Sequence, residues 1–233
     1  MKKFNILFIV VLVLSVLYAG CDRCGLGSIE GTVTDIEGNV YKTITIGKQE
    51  WMAENLRTTT YRDGTDIEFP DTDDTAWENN TDGAYSWHSN DSANKDTYGA
   101  LYNWYAATNS SGLCPEDWHV PSDEEWQTLV DYLGGDDIAG GSLKATQTDP
   151  EPHPRWNAPN NGATDCSGFS AFPGGLRRSN GTFREIGLYG AWWSTTDDVE
   201  EDAWHRSIYH LETRVYHFGY GEGSGMSDRC VRD

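Results

Sequence analysis

The alternation of apolar and polar positions divides the chain into a few readable elements. The clearest lies between Trp118 and Gly135, where Trp126, Leu129, Val130 and Leu133 fall at i, i+3, i+4 and i+7, with Asp123, Glu124, Gln127 and Asp131 on the opposite face. This spacing predicts an amphipathic helix. Ser122 is its N-cap, Glu125 three residues on completes a capping box, and Gly134 and Gly135 stop it. Upstream, residues 31–36, the turn Glu37-Gly38-Asn39, residues 40–46 and Gln49-Glu-Trp-Met52 alternate with period two and predict a hairpin followed by a third strand.

The remaining pattern is shorter and less regular. Residues 58–97 are polar without a sustained period and predict a long loop held by Trp77, Tyr85 and Trp87. Leu101, Trp104 and Tyr105 predict a second helix over residues 98–107. Beyond the capped helix, residues 140–144 read as a turn into a short apolar piece, and 146–163 as a loop with several prolines. Residues 168–175 read as a short strand running into a glycine turn, and 176–183 as a pair folded at Asn180-Gly181. A strand at 191–195, a hairpin of 203–211 with 213–218 around Glu212, and a last strand at 229–232 complete the pattern. The fold class is therefore α+β: two helices on irregular short antiparallel strands with long loops.

Charge narrows the function. The formal net charge is −20, and it becomes −22 without residues 1–20, which carry Lys2 and Lys3. Such a surface repels phosphate backbones, so nucleic-acid binding is not expected. The first twenty residues carry an apolar run, Ile6 to Leu17, too short to span a membrane and suited to a signal-peptide h-region. It ends in Tyr18-Ala19-Gly20-Cys21, which resembles a bacterial lipobox, so Cys21 is the expected lipidation site, although Tyr18 departs from the usual leucine; a plain secretory peptide cut nearby is the alternative. The expected organisation is a lipoprotein signal peptide over 1–20, a short tether over 21–31 and one domain over 32–233, anchored at the outer membrane or cell surface. Cys24, Cys114, Cys166 and Cys230 then remain in an oxidising compartment and allow three pairings. A Cys114–Cys230 bond would clamp the last strand onto the capped helix, leaving Cys24 for Cys166.

Several motifs together resemble the Fibrobacter succinogenes major paralogous domain family of secreted and surface lipoproteins. They are Asp35-Ile-Glu-Gly-Asn-Val-Tyr41, Trp51-Met-Ala-Glu-Asn-Leu56, Tyr98-Gly-Ala-Leu-Tyr-Asn-Trp104, Leu113-Cys-Pro-Glu-Asp-Trp-His-Val-Pro-Ser122, Gly174-Gly-Leu-Arg177, Trp193-Ser-Thr195 and Arg229-Cys-Val-Arg-Asp233. Cys166 and Met226-Ser-Asp228 depart from the family's pattern, which usually reads Ser-Val before the Arg-Cys. A more distant likeness is to the formylglycine-generating enzyme and C-type-lectin-like folds, carried by Val120-Pro121-Ser122 to Glu125-Trp126 and by Arg229-Cys230. That likeness implies two helices against an irregular antiparallel sheet, paired chain ends and long loops on one face.

Candidate chemistry is sparse. The cysteines do not match a catalytic pair of the formylglycine-generating enzyme, and no two carboxylates stand out for glycoside hydrolysis. A two-residue turn near Glu212 would set His210 and His217 on one face as diagonal neighbours, a surface pair rather than a zinc site. His119, between Trp118 and Val120, is expected to pack at the helix entry. No cofactor is required, with calcium possible at Asp71, Asp73 and Asp74 or at the acids around residues 197–202. The aromatic residues Trp77, Tyr85, Trp87, Trp156, Trp192 and Tyr220 lie in or beside loops and are the candidates for stacking on a ligand. Asp74-Thr75-Ala76 and Asp91-Ser92-Ala93 resemble an O-glycosylation motif. The expected function is a non-enzymatic, lipid-anchored protein that binds a glycan, peptide or partner protein; the alternative is an enzyme related to formylglycine-generating proteins, or a hydrolase.

Overall fold

The structure, a computed structural model, describes residues 29–146, 155–198 and 202–233. The expectations for the signal peptide, Cys21 and Cys24 lie outside these residues. In chain order the strands are β1 (Ile29–Thr34), β2 (Val40–Ile46), β3 (Gln49–Met52), β4 (Tyr85–Ser86), β5 (Leu101–Tyr102), β6 (Trp118–His119), β7 (Leu176–Arg177), β8 (Phe183–Arg184), β9 (Tyr189–Asp197), β10 (Asp202–Tyr209), β11 (Val215–Gly221) and β12 (Val231–Arg232). The helices are α1 (Asp74–Glu78), α2 (Lys95–Tyr98), α3 (Trp104–Ala107), α4 (Asp123–Tyr132) and α5 (Asp136–Leu143). The architecture is α+β, with short helices and curled antiparallel sheets.

Helix α4 forms where its local chemistry dictates. Ser122 Oγ accepts from the Glu125 N–H at 3.3 Å, and Glu125 Oε2 accepts from the Ser122 N–H at 2.8 Å, closing the capping box. Trp126, Leu129, Val130 and Leu133 are all buried, which sets the helix on one core. There the Trp126 ring lies 4.8 Å from Trp51 of β3 and 5.9 Å from Phe169.

The larger sheet runs β1-β2-β3-β12-β6, so the strand last in sequence sits inside it. Val231 pairs with Trp51 on one side and with His119 on the other. Strand β1 begins at Ile29, inside the stretch expected to be tether. Cys114 and Cys230 form the disulfide that ties the approach to α4 to the approach to β12, with their Cα atoms 5.9 Å apart. Cys166 is disulfide-bonded as well. A second sheet, β11-β10-β9, lies over α4 and α5, and the pairs β4/β5 and β7/β8 brace the loops between.

The junction of the two sheets is one amide. Asn55 Oδ1 accepts from Trp192 Nε1 of β9 at 3.0 Å and from Arg229 Nε at 2.8 Å. Its Nδ2 donates to the Tyr98 carbonyl at 2.8 Å and to Ser227 Oγ at 3.2 Å. Arg229 is fully buried, donates to the carbonyls of Phe169 and Ser170, and lies with its guanidinium 4.1 Å from the Phe169 ring centre. The charge is thus solvated by carbonyls, an amide and aromatic faces instead of water.

Asp228, next to it, has the opposite character. It is fully buried, and neither carboxyl oxygen has a hydrogen-bond partner. Burial alone drives its pKa well above the usual carboxylate range, so the folded protein holds the proton more tightly than the unfolded chain. The sign follows: its contribution is most favourable below an unfolded pKa of about 3.9 and declines as pH rises toward the folded value. Asp228→Val is therefore expected to raise the unfolding free energy at neutral pH by about 1–3 kcal/mol, with a smaller gain near about pH 3. Chemical denaturation at both pH values checks this, and a variant less stable than its parent at neutral pH would refute it.

The structure differs from four expectations. The helix expected over 98–107 is three pieces, α2, β5 and α3. Gly99, at φ +74°, breaks it where a Cβ would stand 2.6 Å from the Leu56 carbonyl oxygen, and Asn103 starts α3 anew by accepting from the Ala106 N–H. Residues 140–143 are the end of helix α5, with Lys144 as its extended C-cap, and not a turn; Gly140 lets the helix approach the Thr213 carbonyl, 2.7 Å from where a Cβ would be. Residues 168–175 contribute a single bridge, Ala171 to Lys144, in place of a strand. The stretch 58–97 contains α1, β4 and α2, so the long loop is a series of short ordered pieces.

Candidate functional site

The sheet β9–β11 has two chemically different faces because side chains alternate along each strand. One face is rooted on α4. Fully buried Arg206 of β10 donates to Asp123 Oδ1 at 2.6 Å and to Gln127 Oε1 at 3.2 Å. His217 Nε2 stands 2.9 Å from the same Asp123 oxygen, and its ring lies 4.1 Å from Trp204. Burial, then the nearby Arg206 charge, lower the His217 pKa.

The other face is aromatic. The register places Tyr189 opposite Tyr209, Ser207 opposite Tyr216, His205 opposite Phe218 and Ala203 opposite Tyr220. All of these except Ala203 line a cleft of about 380 Å³ that also includes Gly219. Tyr209 and Tyr216 meet at 88° with centroids 6.2 Å apart, while Tyr216 and Phe218 lie nearly parallel, 20° and 5.7 Å apart. Phe218 is 56% exposed and Tyr209 37% exposed, a large apolar area to leave in water.

Several polar groups of this cleft are paired within the protein, while the buried His205 Nδ1 has no hydrogen-bond partner. Burial holds the His205 imidazole neutral, with its pKa lowered to about 4, and Tyr189 Oη donates to its Nε2 at 3.1 Å. The Tyr216 hydroxyl donates to Glu212, which raises its pKa. Tyr209 is pushed up to about 12 by burial and then by Glu185, whose carboxylate it hydrogen-bonds. Exposed carboxylates thus rim an apolar hollow.

Of the six aromatic residues expected to stack on a ligand, Tyr220 alone lies in this cleft. Trp77, Tyr85, Trp87, Trp156 and Trp192 are buried and have no free ring face, which corrects their assignment. Each is a peg for a loop: Trp77 donates to the Arg178 carbonyl and stacks on Arg177, Trp156 donates to the Ala171 carbonyl, and Trp192 reaches Asn55. Irregular backbone pairs little with itself, so large side chains must hold it. Tyr189, Tyr209, Tyr216, Phe218 and His205 escaped the sequence reading, although Tyr216-x-Phe218-x-Tyr220 is a period-two aromatic row on a strand.

The family motifs fall on the framework around this site: Asn55, Tyr98, Ser122, Glu125, Arg229 and Cys230 make the cap, the amide junction and the disulfide. A comparison with family profiles matches residues 44–232 to the Fibrobacter succinogenes major domain. The chain belongs to that family. No curated protein and no solved structure matches the chain.

In this Fibrobacter succinogenes major domain, two of the carboxylates considered for calcium, those of Asp73 and Asp74, have other partners. The Asp71 carbonyl accepts from Arg177 and Asn90, Asp73 caps α1 through the Ala76 N–H, and Asp74 pairs with buried Arg177 at 2.9 Å. Among the described residues no group of three or more histidine, cysteine or acidic side chains is placed to hold a metal. The expected His210–His217 pair does not form. Arg206, not Ile208, opposes His217, because the turn is longer than two residues. Buried Lys144 holds that turn by donating to the carbonyls of Asn161, Tyr209 and Glu212. His210 instead contacts the Asn157 carbonyl. His119 is half-exposed and bridges Glu125 at 2.8 Å and Asp233 at 2.6 Å, in place of the expected packing role. Burial disfavours its charge, but the two carboxylates outweigh that and raise its pKa.

Proposed function

We propose that this protein is a non-enzymatic, lipid-anchored binding module of the cell surface, and that the aromatic face of β9–β11 is its recognition site. The observation that carries the reading is the rimmed cleft, with Phe218 exposed beside Tyr209, Tyr216 and Tyr220 on a sheet fixed from behind by Arg206. Large rings held in place lose little entropy when a ligand covers them. The lipobox-like Tyr18-Ala19-Gly20-Cys21 and the acidic surface support the anchoring and the location. The insertion of β12 between β3 and β6, together with the capped helix after β6, supports a likeness to C-type-lectin-like and formylglycine-generating-enzyme folds. Against thiol chemistry stands the bonding of Cys114 to Cys230.

Two measurements test this. Cys21→Ser is expected to move the protein from the membrane fraction to the soluble fraction; unchanged fractionation would remove the anchor. The full-length protein is expected to bind saturably to some member of a panel of polysaccharides and peptides, and a Tyr209→Ser/Tyr216→Ser/Phe218→Ser variant to lose that binding. Absence of binding across the panel, or binding that survives the three substitutions, would overturn the recognition site.

A further inference from the structure

We infer that the free edge of β11 takes an extended, cationic peptide as a further strand of the β9–β11 sheet. The inference rests on the aromatic face of that sheet being the recognition site, and adds the class of partner and the way it is held. It is carried by the edge itself, by the side chains along it and by the charge at its end.

Backbone groups at a sheet edge are unpaired on one side, and proteins blunt such edges by shortening, bulging or covering them. Three of the four edges of the two larger sheets, those of β1, β6 and β9, are treated in this way. Strand β1 shifts register between Ile29 and Gly31, and β6 is two residues long. Strand β9 is covered: the Trp193 N–H donates to the Ser227 carbonyl, the Ser227 N–H to the Ala191 carbonyl and the Thr195 N–H to the Pro121 carbonyl. Strand β11 has none of these devices. It runs for seven residues in unbroken register with β10, contains no proline, lysine or arginine, and has no strand on its other side. Among the described residues, positions 216–220 make no backbone–backbone hydrogen bond other than those to β10.

A strand added there brings alternate side chains beside Tyr216, Phe218 and Tyr220 on one face and beside His217 on the other. Tyr216 and Phe218 stack on each other with centroids 5.7 Å apart, so the row is fixed, yet Phe218 stays 56% exposed. An apolar side chain on the added strand covers what Phe218 leaves in water. In this mode main-chain hydrogen bonds hold the peptide and alternate side chains select it.

Charge selects the partner. The β9–β10 connection reads Asp197-Asp-Val-Glu-Glu-Asp202, and Asp202 pairs with Gly221 at the end of β11. The Asp198 carboxylate lies against Gly219, and Glu222 follows the strand directly. Arg214 stands at the opposite end, 3.7 Å from Asp137. Lysine or arginine on the peptide beside Gly221 therefore meets carboxylates. A second copy of this chain would bring −20 against −20 and lacks that complement.

The test is fluorescence anisotropy of short labelled peptides with the full-length protein in detergent. The probes are KKTVTVTVKK, its acidic counterpart EETVTVTVEE, and the lysine peptide N-methylated throughout its Thr-Val core, which cannot complete the ladder. The lysine peptide is expected to bind saturably. The acidic and N-methylated peptides are expected to bind about tenfold or more weakly, and Phe218→Ser, at an exposed position, to weaken the lysine peptide by a similar factor. Equal binding of the N-methylated peptide would overturn strand addition and leave the aromatic face as a recognition surface. Equal binding of the acidic peptide would overturn the charge selection, and unchanged binding in Phe218→Ser would overturn the site. Failure of every peptide, alongside a polysaccharide or a self-association lost in Phe218→Ser, would overturn the partner class while keeping the face. Failure of every peptide and every polysaccharide, without self-association, would overturn both.

Discussion

Replacing Cys114 and Cys230 together by serine is expected to lower the unfolding free energy by about 4–5 kcal/mol in the chain-entropy treatment of loop closure. The two cysteines are separated by 116 positions, so their bond removes a large share of the unfolded chain's freedom. Both sulfurs sit in the core with Tyr102, Trp118 and Trp193, where serine hydroxyls would find little to bond. The single variant Cys114→Ser adds a free buried thiol at position 230 and is expected to be at least as destabilised. Denaturant unfolding measures the difference, with the reduced parent as control. A loss under about 1 kcal/mol would mean that the pairing across β3 and β6 already holds β12 in place and the bond is incidental.

The second large effect is expected at Asn55. Asn55→Leu keeps the volume and deletes four hydrogen bonds at once. Arg229 Nε and Trp192 Nε1 lose their acceptor, and the Tyr98 carbonyl loses its donor, all in the dry junction between the sheets. A buried donor left without an acceptor costs about 1–3 kcal/mol, more when it is charged, so losing the acceptor of both Arg229 Nε and Trp192 Nε1 is expected to cost the variant about 3–5 kcal/mol. A double-mutant cycle with Arg229→Met separates the charge from the amide. If the double variant is much less destabilised than the sum of the singles, the loss in Asn55→Leu comes from the orphaned charge; additive losses would show that Asn55 acts through Trp192 and Tyr98 instead.

How much of this fold and site is legible in the sequence depends on whether the determining contacts are local. The helix α4 was readable because Ser122, Glu125 and the Trp126–Leu133 stripe act within a few residues of one another. The stretch 98–107 was misread because Leu101, Trp104 and Tyr105 mimic a helical period. The decisive groups are Gly99 against the Leu56 carbonyl and Asn103 binding both Ala84 and Ala106, partners that no spacing rule reveals. The β10–β11 turn went wrong for a similar reason, since the ammonium that sets it belongs to Lys144, far upstream. The cleft was half visible. Tyr216, Phe218 and Tyr220 alternate in the sequence, but the rings of Tyr189 and Tyr209 join them through strand register alone. The tryptophans of the loops misled in the opposite direction, because an irregular segment needs its largest side chains inward.

The position of β12 bears on how the domain is made. A strand at residues 231–232 that lies between β3 and β6 leaves a gap in the sheet until the residues before it have been made. Until then β3 and β6 have no neighbour between them, and their facing edges stay unpaired. Closure depends on contacts of high sequence separation, which form slowly. A chain built in this order keeps both the larger sheet and the Cys114–Cys230 bond open until β12 is available, and the two close together.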